Sequence, residues 1–212
     1  MTNLEFELER EPSVAATIFS DGIEAARQYA AALARDGDTL GLLGPRELPK
    51  LWSRHILNSA VVADLIAPGQ KIADVGSGAG LPGIPMAIAK PDCMFVLIEP
   101  MERRSDWLKQ VIDELELKNV SVLRARAEEA PRGSFDVVTA RAVSALDKLL
   151  RICAPLLVPG GQLLALKGSK AEAEIAAAEK LRKKLKIASF ELITVGGQVL
   201  AEPTSVVRTR LV

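Results

Sequence analysis

The chain is poor in the groups that build metal sites and covalent frameworks. Its two cysteines, Cys93 and Cys153, lie 60 positions apart and its histidine is single, so no zinc ligand set and no disulfide scaffold is on offer. Both thiols are expected to be buried, in a reducing compartment. Aromatics make up only 4% of the chain, and Trp107 and Phe95 are expected in the core rather than stacked on bases. Net charge is also missing. With 27 basic side chains against 27 acidic ones, any nucleic-acid contact needs a local basic face. No apolar run approaches the roughly 18 residues of a membrane span. The acidic opening MTNLEFELEREP lacks the basic head and apolar stretch of a secretion signal. A soluble, cytoplasmic, monomeric protein without metal or membrane contact is expected.

What is present divides at about residue 70. Residues 1–69 read as a helical segment. Apolar residues recur at helical spacing from Ser13, a candidate N-cap, to Gly37, a candidate stop, and again through PRELPKLWSRHILNSAVVADLIAPG. Residues 70–212 read as one α/β domain. Short β-rich runs at 71–75, 94–99, 120–125, 135–140 and 161–167 alternate with helical segments near 83–89, 101–117, 145–157 and 169–185. Near-continuous apolar strands between helices predict a Rossmann-like, mostly parallel sheet covered on both faces. The last segment has room for two strands but no crossover helix, which predicts an antiparallel pair at the sheet edge.

The first strand runs into DVGSGAGLPGIP, with four glycines and two prolines in twelve positions. Gly78, Gly80 and Gly83 match GxGxxG, and Glu99 follows Gly78 by 21 residues, so a dinucleotide site must be weighed. Three features oppose a pyrophosphate. Pro82 and Pro85 remove N–H donors near the helix start. Asp74 puts a carboxylate where phosphate would be repelled. The glycines also begin one step earlier, as GxGxG at Gly76, Gly78 and Gly80. S-adenosylmethionine has no phosphate, and its ammonium and sulfonium charges tolerate Asp74. Glu99, ending the second strand, is placed to accept both ribose hydroxyls. Ala127 and Glu128, after the third strand, are placed near the adenine edge, although Glu128 reads equally as an exposed helix-start carboxylate.

These blocks are similar to those of the bacterial small-subunit ribosomal RNA methyltransferase G family, also called glucose-inhibited division protein B. The resemblance runs through LWSRHILNSA (51–60), DVGSGAGLPGIPMAIAKP (74–91), LIEPMERRSDWL (97–108), RARAEE (124–129), TARAVSALDKLL (139–150) and LALKG (164–168). It implies a class I methyltransferase fold and methylation of guanosine N7 in 16S ribosomal RNA, free or within the small subunit. It also implies that Gly76, Leu81, Glu99, Ala127, Glu128 and Arg141 border the cofactor. One position departs: after RHIL the family pattern has Asp, and here Asn58 stands.

Guanine N7 has a lone pair and no proton to lose, so the implied reaction needs no general base and no catalytic residue of that kind is expected. Holding nucleophile and methyl carbon in line can supply about 7–11 kcal/mol. Arg141, following the fourth strand, suits either the cofactor's carboxylate or an RNA phosphate. Arg54, His55 and Lys167 are candidates for RNA contact, set against a packing role for His55 and simple exposure for Lys167. Arg103, Arg104, Arg124, Arg126 and Arg132 form a candidate RNA track, while KLRKKLK (180–186) reads as a solvated helix face. A nicotinamide-dependent oxidoreductase, a catalytically dead RNA-binding module and a small-molecule methyltransferase are the competing functions.

Overall fold

Strands that are apolar on both faces need cover on both faces, and the chain supplies it with helices between nearly every pair. The computed structural model describes residues 7–212, so the first six residues of the acidic opening lie outside it. Seven strands form one sheet: β1 (Lys71–Val75), β2 (Met94–Ile98), β3 (Val120–Leu123), β4 (Phe135–Arg141), β5 (Leu157–Leu166), β6 (Ile187–Val195) and β7 (Thr204–Leu211). Their order is β3-β2-β1-β4-β5-β7-β6, with β1 to β5 parallel. β7 pairs antiparallel with both β5 and β6. The antiparallel strand is therefore inserted one place in from the edge, and β6 is the edge strand. The order reverses between β1 and β4, which opens a crevice at their carboxyl ends.

Alternation along the strands divides the core. Ile72, Val137, Leu164 and Val206 point to one face, where they meet Met86 and Val62. Ala73, Val138, Leu163, Ala165 and Val207 point to the other, under α6 (Leu146–Cys153) and α7 (Ala171–Ala178). The first face also carries α4 (Gly83–Ala89), α5 (Glu102–Glu114) and the amino-terminal helices α1 (Val14–Phe19) and α2 (Ile23–Asp36). Trp107 and Phe95 are buried there, and both cysteines are buried free thiols. Trp107 Nε1 donates to Asp36 Oδ2 at 2.9 Å. Tyr29 of α2 is fully buried, and its hydroxyl donates to the Ala79 carbonyl at 2.7 Å.

Two helical expectations are revised. The stretch from Ser13 to Gly37 is not one helix: it breaks at Ser20–Gly22, and Ser13 makes no side-chain cap. The second stretch is a composite. A 3-10 turn (Pro45–Lys50) leads into a π-helix (Leu51–Leu57), then α3 (Asn58–Ala60), then another 3-10 turn (Val61–Leu65). Side chains hold the wide turn open. The His55 carbonyl accepts from Ser59 Oγ at 2.6 Å and from Arg141 at 3.4 Å, bonds that compete with regular helical pairing. Such π segments concentrate at functional sites.

Candidate active site

β1 and β2 end side by side, Val75 opposite Ile98, and the loop after β1 folds back over the end of β2. Gly76 N and Ser77 N both donate to the Ile98 carbonyl, at 2.9 and 3.2 Å. The turn needs left-handed backbone at three places: Gly76, Gly78 and Gly80 have φ of +68°, +57° and +85°. Only glycine takes these without strain. Two carboxylates clamp the loop. Asp74 Oδ2 accepts from Ser77 Oγ at 2.6 Å and from Gly83 N at 3.0 Å. Glu99 Oε2 accepts from Gly78 N at 2.9 Å, and its Oε1 accepts from Met101 N at 3.0 Å.

The Gly83 bond decides against a pyrophosphate. Gly83 is the first residue of α4, and its N–H already serves Asp74; Pro82 and Pro85 have no N–H to give. The helix start therefore has few donors for an anion, and two acids stand beside it. A cationic, phosphate-free ligand fits this set. Asp74 is fully buried, its Oδ1 has no partner among the described residues, and burial raises its carboxyl to about 6. Glu99 keeps lone pairs beyond those that the backbone uses. Leu81 and Ala127 lie nearly buried at this rim, and Glu128 is exposed. A Cβ added at Gly76 would stand 2.9 Å from Val143 Cγ2, so the segment after β4 closes down on the loop.

Arg141 ends β4 on the other side of the crevice, and there the structure makes connections that no spacing announces. Its guanidinium bonds Ser59 Oγ at 3.3 Å and His55 Nδ1, while His55 Nε2 lies 2.7 Å from Glu47 Oε2. Arginine has no acceptor, so Nδ1 must accept and Nε2 must carry the proton toward Glu47. Burial and the Arg141 charge depress the His55 pKa, which keeps the ring neutral. Burial likewise lowers Arg141 from the ordinary arginine value.

Beside Arg141 lies a cleft of about 760 Å³, lined by Arg54, Asn58, Ser144, Lys167 and Thr204 among others. The RNA-facing candidates fare unequally. Arg54 is exposed, with one loose ion pair to Glu47 at 3.7 Å. His55 is 6% exposed, with its ring nitrogens engaged by Arg141 and Glu47. Lys167 lines the cleft but is tied down: Nζ donates to the Ser144 carbonyl at 2.6 Å and pairs with Glu174 at 2.8 Å. Asn58 Oδ1 is buried at the cleft wall without a partner among the described residues. Within the candidate arginine track, Arg103 and Arg104 donate to the Leu40 and Gly41 carbonyls and Arg124 pairs with Glu102, while Arg103, Arg124, Arg126 and Arg132 are all exposed. Glu47, Ser59 and Glu174 had no signature in the sequence. Only the four-residue step from His55 to Ser59 hinted that those two share a helix face.

Comparison with solved structures defines the class. The chain resembles M. jannaschii TYW2 in complex with AdoMet, with a TM-score of 0.60 and 19% identity over 76% of this chain and 77% of that one. It also resembles tRNA (m1A58) methyltransferase TrmI from Aquifex aeolicus, with a TM-score of 0.57, 15% identity and 73% and 68% coverage. The fold is that of the class I S-adenosylmethionine-dependent methyltransferases. Sequence narrows it further. The model of the rRNA small subunit methyltransferase G family matches residues 22–200. The protein of that name from Leifsonia xyli is 54% identical over 95% of this chain and 96% of its own length. That from Mycolicibacterium smegmatis is 46% identical, over 94% and 86%. The chain belongs to the rRNA small subunit methyltransferase G family.

Proposed function

We propose that the protein transfers a methyl group from S-adenosylmethionine to N7 of a guanosine in 16S ribosomal RNA. One observation carries the reading: a glycine loop clamped by Asp74 and Glu99, poor in free donors for phosphate, opens beside a cleft edged by Arg54, Arg141 and Lys167. The bound donor supplies an electrophilic methyl carbon on a positively charged sulfur. Glu99 takes the ribose hydroxyls on its spare lone pairs. Gly76 and Gly78 let the backbone approach, and Leu81, Ala127 and Glu128 border the adenosine. Arg141 pairs with the donor's carboxylate, held in place by His55 and Glu47.

Guanine N7 attacks with its own lone pair, so no side chain has to remove a proton. His55 is unsuited to that task in any case, because both nitrogens are already engaged. The protein's contribution is alignment and exclusion of water, which can lower the barrier by about 7–11 kcal/mol. The nicotinamide alternative is not favoured, because α4 presents a spent N–H and two prolines where a dinucleotide needs donors.

The test uses small subunits from a strain lacking this activity. Incubated with the protein and labelled S-adenosylmethionine, they are expected to gain label at one guanine N7. Label confined to protein or small metabolites would overturn the proposal. NADH, unlike S-adenosylhomocysteine, is expected to leave the melting temperature unchanged.

A further inference from the structure

A second cleft, of about 550 Å³, lies between residues 12–14, the π-helix and the connection from β6 to β7. Leu57 and Leu200 give it an apolar lining, and Val199 stands 42% exposed beside them. Its charged lining residues are Lys50, Arg54 and one acid, Glu202. Arg54 lines this cleft and the cleft beside Arg141 alike, and the chain continues from Glu202 in one wall to Pro203 and Thr204 in the other. The two clefts are thus neighbours with a single guanidinium between them.

We infer that this second cleft holds the nucleotide next to the target guanosine on the same RNA strand, with Arg54 on the phosphate that joins the two. The inference rests on the function proposed above, which places the guanosine in the first cleft. Enzymes that act on a base take it unpaired or extruded from its stack, and the neighbour of an extruded base loses a stacking partner and needs another surface. Leu200 and Val199 offer an apolar surface to that base, backed by the buried Leu57. The volume lies within the roughly 300–1,000 Å³ of sites that enclose small organic ligands. Glu202 can accept from a base amino group. The guanidinium fork matches a phosphate, and the Glu47 contact at 3.7 Å is too long to occupy it. Two cations on an apolar cleft favour a nucleotide over a hydrophobic side chain of another protein, which gains nothing from Lys50 and Arg54.

Ala201 lines the cleft from an exposed bend, and substitution there fills it without touching the core. Ala201→Trp is expected to raise KM for unmethylated small subunits about tenfold, the weight of one base contact. Affinity for S-adenosylhomocysteine and the melting temperature should hold. An unchanged KM would overturn the inference. Cys93 and Cys153 are buried, so Ala201→Cys accepts a benzophenone maleimide at one site. Its photo-cross-link should map to the nucleotide adjacent to the methylated guanosine. A cross-link to a ribosomal protein, to distant RNA or to nothing, on a particle that is still methylated, overturns this inference alone. A particle that the unmodified protein fails to methylate overturns the proposed function and this inference with it.

Discussion

The two halves of the crevice are built by different means. On the β1–β2 side the site is backbone, held by carboxylates a few residues away or at the end of the adjacent strand: Gly83 against Asp74 and Gly78 against Glu99. On the β4–β5 side it is side chains held by other side chains from remote segments. Arg141 leans on His55, 86 positions earlier, and Lys167 is shared between Ser144 and Glu174. The first kind of site is rigid before any ligand arrives, because its geometry is written in φ angles. The second depends on ionised partners and should yield to pH and to single substitutions of residues that touch no ligand.

The sharpest test of that contrast is Asp74. Burial raises its carboxyl to about 6 from the ordinary 3.8. A raised carboxyl pKa favours folding below the unfolded value, and that advantage is lost as pH rises through the folded one. Asp74→Asn has nothing to ionise, so its stability relative to the parent should rise by about 2.5 kcal/mol between about pH 4 and pH 7.5. Denaturant melts at the two pH values check this, and a constant difference would show that Asp74 is not strained. The same variant should bind S-adenosylmethionine more weakly at pH 7.5, so stability and function should move in opposite directions.

Glu99→Gln comes next. Both oxygens face backbone N–H groups, so an amide must turn its NH2 against one of them. Cofactor affinity by calorimetry is expected to fall about 100-fold. Equal affinity would mean that the clamp is not part of the cofactor floor.

A smaller effect is expected on the other side. Glu47→Gln leaves the cleft intact but replaces the charged acceptor of His55 Nε2–H with a neutral one, weakening the hold on the ring, and should raise the cofactor KM about fivefold while kcat changes less. In the parent protein, His55 has its pKa lowered by burial, so the support that its neutral form gives is complete above the ordinary value of 6.5. It is lost as pH falls through the lowered one, where a protonated ring faces the Arg141 charge. Cofactor KM should rise on that acid limb, and Glu47→Gln should change the limb's position. A limb indifferent to Glu47 would break the proposed relay.

The smallest effect concerns the arginines once expected to track RNA. Arg103→Ala and Arg104→Ala remove bonds to the Leu40 and Gly41 carbonyls, so each should cost about 1 kcal/mol of stability. Neither should alter the log-log salt dependence of RNA binding, whereas loss of a phosphate contact would flatten it by about 0.7–0.9.

The same contrast explains what could be read in advance. Strand runs, a mostly parallel sheet and the glycine loop were legible because alternation, apolar runs and φ demands are local properties. Glu99 was legible because a strand end fixes where its side chain goes. The π-helix was not, since its cause is Ser59 and Arg141 drawing on one carbonyl, a tertiary effect laid over an α-like pattern. The partners of His55 and Lys167 were hidden for a related reason. A polar residue near a ligand edge looks the same in sequence whether it faces solvent or a buried partner such as Glu47 or Glu174.

The bond from the Tyr29 hydroxyl to the Ala79 carbonyl crosses 50 positions and joins α2 to the middle of the glycine loop. The glycine loop is thus fastened from outside the sheet, by an amino-terminal helix that itself carries none of the candidate site residues. Trimming the chain back to its sheet would loosen the very loop such a minimal enzyme was meant to keep.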